Sequence, residues 1–375
     1  MPAALPSGRV ARGECAYPSS KPFQAEPLPP SRLTPRAQFV SAHEVAERAG
    51  VSRSAVSRAF TPGASIAAET RRKIHEAAEV LGYQVNDLAR GLLANRSRLV
   101  GLVVTKPEVG FRALLVASLT KALIARGSVP IMINTGQSEG ELLAAQRTLF
   151  GHRAEATIIL SGSPPASFVE LARRNGQPVV VIGRSEPGAD HVQIDNQAAA
   201  CTAAALFAAA GMRRLGLAGA QSGTPSIVER ETAFVAEAER LGARVIAVRG
   251  SDSDYAGGLD AAEQLLTGPE RPEGVFCVND LVAFGVIDHA RSRAGLAVPQ
   301  DLAVIGFDDV PEASWLCHRL TTFRQDPDIM ARTAIELLDR READPDLAPA
   351  VARIAAPLVA RDSFVPAVPK ASPTP

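Results

Sequence analysis

From Leu99 onward the chain alternates short, wholly apolar runs with longer helix-like segments, and this alternation narrows the fold more than any other feature. Leu99–Val104, Val129–Ile133, Ala156–Leu160 and Val179–Ile182 read as strands, interleaved with helical segments at Leu114–Arg126, Leu142–Phe150 and Phe168–Arg174. After Asp195 the pattern resumes with a helix to Ala210, a strand Arg214–Ala218, a helix Ile227–Leu241 and a strand Val245–Val248. A helix to Leu266, the strand Val275–Val278, a helix to Ala294 and the strand Leu302–Ile305 complete it. Strands that are apolar throughout are buried on both faces, as in parallel sheets covered by helices. The segment, about 260 residues, exceeds what one such sheet usually needs, so two α/β subdomains are expected. Ligands in such folds sit beyond the carboxyl ends of the strands, here in a cleft between the halves.

The residues before this region have a different character. Ser41 and Glu44 have the spacing of a capping box, in which each side chain satisfies an orphan amide at a helix start. Val45, Ala46 and Ala49 then share one helical face, and Gly50 stands where a glycine ends a helix. Ser52 is placed to cap a second helix that turns Val56, Ala59 and Phe60 inward and leaves Arg53, Ser54, Ser57 and Arg58 outward. A third helix is expected after Thr61-Pro-Gly63, with Ser65 as its N-cap and Ile74, Ala77, Ala78 and Leu81 as its apolar stripe. The first two helices read as a helix-turn-helix, whose second helix offers its N-terminal residues to base edges in the DNA major groove.

Charge supports that division. Residues 1–98 hold 14 Lys/Arg against 8 Asp/Glu, and residues 99–375 hold 26 against 32, so a net +6 faces a net −6. The basic excess lies with the segment that would meet phosphate. The four cysteines, Cys15, Cys201, Cys277 and Cys317, form no C-x-x-C pair, which argues against a zinc finger or disulfide scaffold. No apolar run reaches the length of a membrane span, and the N-terminus lacks a secretory h-region, so a soluble cytoplasmic protein with no membrane partner is expected. No P-loop, G-x-S-x-G, H-E-x-x-H or G-x-G-x-x-G after a strand is present, so neither an enzyme nor a bound cofactor or metal is expected.

Several motifs in one order resemble the lactose-repressor (LacI/GalR) family of bacterial transcriptional regulators. They are Val45-Ala-Glu-Arg-Ala-Gly-Val-Ser-Arg-Ser-Ala-Val-Ser-Arg58, Asn86-Asp-Leu-Ala-Arg-Gly-Leu92, Asp195-Asn196 and Arg230-Glu-Thr-Ala-Phe234. Asn279-Asp280, Val298-Pro-Gln-Asp-Leu-Ala-Val-Ile-Gly-Phe-Asp-Asp309 and Leu320-Thr-Thr322 follow. The likeness spans roughly residues 41–340, and the order of the motifs makes it specific where no single motif would.

The resemblance implies a helix-turn-helix head on a core of two Rossmann-like parallel-sheet subdomains of periplasmic-binding-protein type. It implies a homodimer on a pseudo-palindromic operator, controlled by a small-molecule effector such as a sugar, sugar acid or nucleoside, and most simply a repressor. By position Ser52, Arg53, Ser54, Ser57 and Arg58 would meet DNA, as would Asn86, Ala89 and Leu92 of a hinge whose leucine wedges into the minor groove. Thr105, Arg184, Ser226, Arg230 and Asp280 would meet effector, with Lys106 and Asp195 as further candidates. The aromatic that often stacks on ligand after Val245–Val248 is missing, and Trp315 stands nearby either as a stacking face or as core. The dimer interface would draw on Phe111–Ile124 and Leu281–Ala290, with no C-terminal leucine heptad for a tetramer.

The expected organisation is therefore a disordered extension over 1–39, the head over 40–85 and a hinge over 86–97. The effector-binding and dimerisation domain follows over 98–345, with a C-terminal strand, crossover and Pro-rich tail over 346–375. A translation start at Leu33 or Val40 is an alternative to an extension from Met1. The competing function is a solute-binding protein of the sugar-transport class, which the core alone would suit and the head opposes.

Overall fold

The computed structural model describes residues 39–61, 63–85, 97–136, 138–160, 166–183 and 188–365, and these fall into two units divided between Asp87 and Leu88. The expectations for the N-terminal extension, the hinge residues Asn86, Ala89 and Leu92, Arg184 and the last ten residues lie outside the described residues.

The first unit is built from three helices, α1 (Ala42–Ala49), α2 (Arg53–Ala59) and α3 (Ala68–Leu81). The capping box forms: the Glu44 amide donates to Ser41 Oγ, and the Ser41 amide donates to Glu44 Oε2 at 2.7 Å. Gly50 ends α1 at φ 65°, a left-handed conformation that a side chain would strain, and the Val51 amide reaches back to the Ala46 carbonyl. Val45, Val56, Ala59, Ile74 and Ala77 close the small core. The expectation for α3 is corrected at its start. Its N-cap is Ala67, with no side-chain cap, and Ser65 is exposed. The preceding chain is held by Arg71 instead, whose guanidinium donates to the Ala59 and Ala64 carbonyls at 2.6 and 3.0 Å.

The second unit contains two six-stranded sheets. The first takes β1 (Leu99–Val104), β2 (Val129–Asn134), β3 (Ala156–Ile159), β4 (Val179–Ile182), β5 (Asp190–Ile194) and, from far along the chain, β11 (Val351–Ile354). Its order is β11-β5-β4-β3-β1-β2, all parallel. Between them run α4 (Phe111–Arg126), α5 (Glu139–Gly151) and α6 (Ala166–Arg174).

The second sheet takes β6 (Arg214–Ala220), β7 (Arg244–Gly250), β8 (Gly274–Cys277), β9 (Ala303–Asp308), β10 (Thr321–Arg324) and β12 (Leu358–Val359). Its order is β12-β10-β9-β8-β6-β7, and only the edge strand β12 runs antiparallel to its neighbour. Helices α7 (Asn196–Ala209), α8 (Pro225–Arg240), α9 (Tyr255–Leu266) and α10 (Asp280–Ser292) accompany it, while α11 (Pro327–Ala343) returns to pack on α4. β3, β4, β8 and β9 are buried along their whole length, which is why their sequences are continuously apolar.

The chain passes between the halves three times: from β5 into α7 at Asp195, from β10 into α11 at Gln325–Asp326, and from β11 to β12 at residues 355–357. The C-terminal segment is thereby built into both sheets. Phe364 is buried 5.3 Å from the Phe207 ring, and Ser363 Oγ bridges the Thr321 amide and the Val304 carbonyl.

The apolar segment Leu281–Ala290, expected as interface, is largely core. It lies in α10, and α9 covers it so closely that Gly258 and Gly285 are required at the contact. A Cβ at Gly285 would stand 2.5 Å from the Tyr255 carbonyl oxygen, and one at Gly258 2.3 Å from that of Val282. Gly285→Ala is expected to cost about 1–3 kcal/mol. In urea melts this lowers the midpoint without changing the slope; an unchanged midpoint would mean the helices separate without penalty.

Candidate DNA-reading helix and effector cleft

Helix α2 presents one polar face. Arg53, Ser54, Ser57 and Arg58 are exposed, while Val56 and Ala59 on the opposite face are buried. Ser52 caps the helix, accepting from the Ala55 amide at 3.2 Å, and its hydroxyl lies 2.9 Å from Ser54 Oγ. Arg58 folds back so that Nε donates to the Ser54 carbonyl at 3.3 Å. Arg53 makes no hydrogen bond or ion pair among the described residues and stands free at the helix N-terminus. A short helix with two exposed guanidiniums and three hydroxyls on one side carries the donors that guanine edges and phosphates accept.

The second unit contains a cavity of about 170 Å³ between its two sheets, lined from both halves. Its polar groups stand immediately after strands. Asn196 follows β5, Asn279 follows β8, Asp308 ends β9 and Gln325 follows β10. Arg230 reaches in from α8 and Arg112 from the first turn of α4, with Phe111 beside it.

Arg230 is the anchor. Buried at 5% exposure, it holds its guanidinium carbon over the Phe307 ring, 3.4 Å from the ring centre. Nε donates to Asn196 Oδ1 at 2.7 Å, Nη1 donates to the Val278 carbonyl at 2.7 Å, and Asp308 Oδ1 stands 3.9 Å away. Two of its five N–H donors are thus used inside the protein, leaving others for ligand. Burial lowers its pKa to about 10, so it remains protonated at neutral pH. Asn196 passes the network on, donating to Glu229 Oε2 at 2.9 Å.

Asp308 is the carboxylate of this cavity. It accepts from Gln325 Nε2 at 2.6 Å and sits at φ 121°, a strained backbone for a non-glycine residue. Burial raises its pKa to about 6, while Arg230, Gln325 and Arg112 oppose the rise. A carboxyl whose folded pKa exceeds its unfolded value binds more protons in the native state, so its contribution to stability falls as pH climbs from about 4 through 6. The stability difference between the natural protein and Asp308→Asn is therefore expected to shrink by about 2 kcal/mol between pH 4.5 and 7.5. Urea melts at a series of pH values check this; a constant difference would place an unperturbed carboxyl here.

The other expected ligand residues are divided. Ser226 lines the cavity. Asp280 does not: it is fully buried behind the cavity wall, accepting from Thr322 Oγ1 at 2.5 Å and from the Val310 amide at 2.9 Å. Burial, with Asp308's charge adding to it, pushes the Asp280 carboxyl well above the usual range, so it serves as an internal tie between β10 and the chain after β9. Thr105 is also buried outside the lining, its hydroxyl donating to the Gly136 carbonyl at 3.2 Å. Lys106 is paired with Asp252 at 2.6 Å, and Asp195 caps α7 through the Ala198 amide. Trp315 is 54% exposed and away from the cavity, so it is neither stacking face nor core.

Asp308, Asn196, Asn279 and Gln325 also line the cavity and were not among the expected residues, although each stands at the carboxyl end of a strand, where ligand groups collect in such sheets.

A helix-turn-helix with a free basic face, on a chain whose remainder is a two-sheet binding fold around a polar cleft, defines a ligand-responsive DNA-binding regulator. The family model "Bacterial regulatory proteins, lacI family" matches residues 41–86, and "Periplasmic binding protein-like domain" matches residues 204–364. The chain is 30% identical over 311 residues to the ribose operon repressor of Escherichia coli (strain K12), covering 81% of this chain and 93% of that one. It is 28% identical over 309 residues to the HTH-type transcriptional repressor PurR of Photobacterium profundum, covering 80% and 91%. In fold it is similar to the lac repressor dimer bound to operator and the anti-inducer ONPF, with TM-score 0.79, 23% identity and coverage of 87% and 99%. The CelR–cellobiose complex matches with TM-score 0.65, 26% identity and coverage of 87% and 100%. The chain belongs to the lacI family of bacterial regulatory proteins and is a sequence-specific DNA-binding transcriptional regulator.

Proposed function

We propose that the protein is a repressor that binds a pseudo-palindromic operator as a homodimer and releases or tightens its hold when a small polyhydroxy effector fills the cleft. The observation that carries this reading is the cleft itself: Arg230, Asn196, Asn279, Asp308 and Gln325 converge on one cavity beyond the strand ends. Donors and acceptors so arranged suit a sugar's hydroxyls. Size supports a small ligand, since a cavity of about 170 Å³ lies below the roughly 300–1,000 Å³ of pockets that take drug-sized molecules. Relatives and neighbours are named for ribose and cellobiose, which supports a carbohydrate.

Two of these residues, Asn196 and Gln325, stand where the chain crosses between halves. A ligand held there bears directly on the crossing segments, so its binding favours one arrangement of the halves over another. Helix α2 supplies operator contacts through Arg53, Ser54, Ser57 and Arg58, with Ser52 chiefly a cap, and residues 86–97 form the hinge joining the head, 40–85, to the core, 98–365. Exposed apolar side chains supply a dimer face in each half: Ile124, Val129 and Met132 on α4 and the edge strand β2, and Tyr255, Trp315 and Leu316 in the other half. Selection of random duplex DNA on the full chain tests the reading: enrichment of a two-fold symmetric site supports it, and enrichment of an asymmetric site, or none, contradicts it.

A further inference from the structure

Resting on the effector reading, we infer that the effector is an anion: a monosaccharide-sized carboxylic acid, an aldonate or uronate, whose carboxylate is held by Arg112. Among the described residues the cavity is lined by two guanidiniums, Arg112 and Arg230, but by one carboxylate, Asp308. Asp308 serves Arg230 and Gln325. Arg112, half-buried, makes no hydrogen bond and no ion pair among the described residues. The acids that attract it from a distance are Asp252, Asp308 and Glu108. Asp252 is already held by Lys106 at 2.6 Å, and Glu108 is exposed to solvent beyond ion-pair reach. Among the described residues, one positive charge in the cleft thus lacks a counter-ion.

A half-buried, unpaired guanidinium costs stability, and a planar fork of donors is the shape that grips a carboxylate with two parallel bonds.

The helix ends around the cavity point the same way. α7 and α10 begin on capping side chains, Asp195 and Asn279. α4 and α8, which bring Arg112 and Arg230, begin on Gly110 and Thr224 with no side-chain cap and no acid in the first turn. Their first residues line the cavity, so uncompensated helix N-termini add positive potential there. The excess of one charge matches a monoanion; a phosphate monoester brings about −1.5 to −2 at neutral pH. In this arrangement the sugar hydroxyls meet Asp308, Asn279 and Gln325, and the acid end lies toward Arg112.

The test compares matched pairs on the full chain by calorimetry: D-gluconate against D-glucose, D-galacturonate against D-galactose, with D-glucose 6-phosphate as the dianionic arm. At least one acid is expected to bind tenfold or more tighter than its neutral partner and tighter than the phosphate. Arg112→Gln erases that preference, leaves neutral-sugar affinity within threefold, and raises the melting midpoint of the free protein, while Arg112→Lys retains part of the preference. Equal or tighter binding of the neutral sugars, tighter binding of the phosphate, silence of both acids, or loss of both series alike in Arg112→Gln overturns the assignment. The effector reading is judged separately, by whether any ligand from a panel of neutral sugars and nucleosides changes operator affinity.

Discussion

Replacing Arg230 with alanine is expected to weaken effector binding by more than about 100-fold and to destabilise the core by about 3–5 kcal/mol. Both effects come from one geometry. The guanidinium is buried, and its removal leaves Asn196 Oδ1 and the Val278 carbonyl without their donor. It also strips Asp308 of the positive charge opposing its raised pKa. Buried acceptors without partners cost about 1–3 kcal/mol each, and an uncompensated buried charge costs more. Lysine does not replace the side chain, because a point charge on a flexible stem cannot lie on the Phe307 ring while donating in two fixed directions. Arg230→Lys should therefore fold better than the alanine variant yet bind effector poorly. Urea melts and calorimetry separate the two effects; natural affinity in either variant would remove Arg230 from the ligand site.

Arg53→Ala and Arg58→Ala are expected to act at the other end of the chain and to spare stability. Both side chains are exposed, and the packing of the head rests on Val45, Val56, Ala59 and Ile74. If each arginine reads a guanine, its loss costs about 1–3 kcal/mol per half-site. A dimer carries two copies, so operator affinity should fall on the order of 10²–10⁴-fold for each substitution. Binding to unrelated duplex should fall far less, because one phosphate contact is a small part of that attraction. Fluorescence anisotropy on the selected site and on a scrambled duplex distinguishes these outcomes. A parallel loss on both duplexes would make the residue a backbone contact. For Arg58 the free-state bond to the Ser54 carbonyl must be given up or shared on DNA, so its effect is expected to be the smaller.

Much of the architecture was legible because the forces that specify it are local. Continuous apolar runs mark strands buried on both faces, and Ser41, Glu44, Gly50 and Ser52 mark helix ends by chemistry acting within one turn. What escaped was non-local. β5 and β10, with sequences Asp190-His-Val-Gln-Ile194 and Thr321-Thr-Phe-Arg324, mix polar residues into strands because they lie beside the crossings and the edge pairings with β11 and β12. A C-terminal strand and crossover were expected, but not which sheets they would join: β11 and β12 are specified by their partners and hardly by their own residues. Helix α11 is a different case: Asp326 followed by Pro327 is a plain helix start, and it went unread.

The site divides the same way. Arg230 and Ser226, which the structure places on the cavity, could be singled out because they stand in or beside a recognisable motif on α8. Of two aspartates in neighbouring motifs, the sequence singled out Asp280, whereas the structure places Asp308 on the cavity. Nothing local says that the first is tied down by Thr322 and the Val310 amide. The strand-end rule favours the second, since Asp308 closes β9 while Asp280 opens the helix behind it.

Control of the operator by an effector requires that cleft and head be coupled, and coupling is a difference in free energy. The direct measurement is the dissociation constant of the full chain for its selected operator, without ligand and with saturating ligand, using whichever pentose, hexose, sugar acid or nucleoside gives the largest thermal shift. The predicted result is a change of about 5-fold or more, in either direction, absent in Arg230→Ala. Operator affinity that is identical with and without saturating ligand would contradict it.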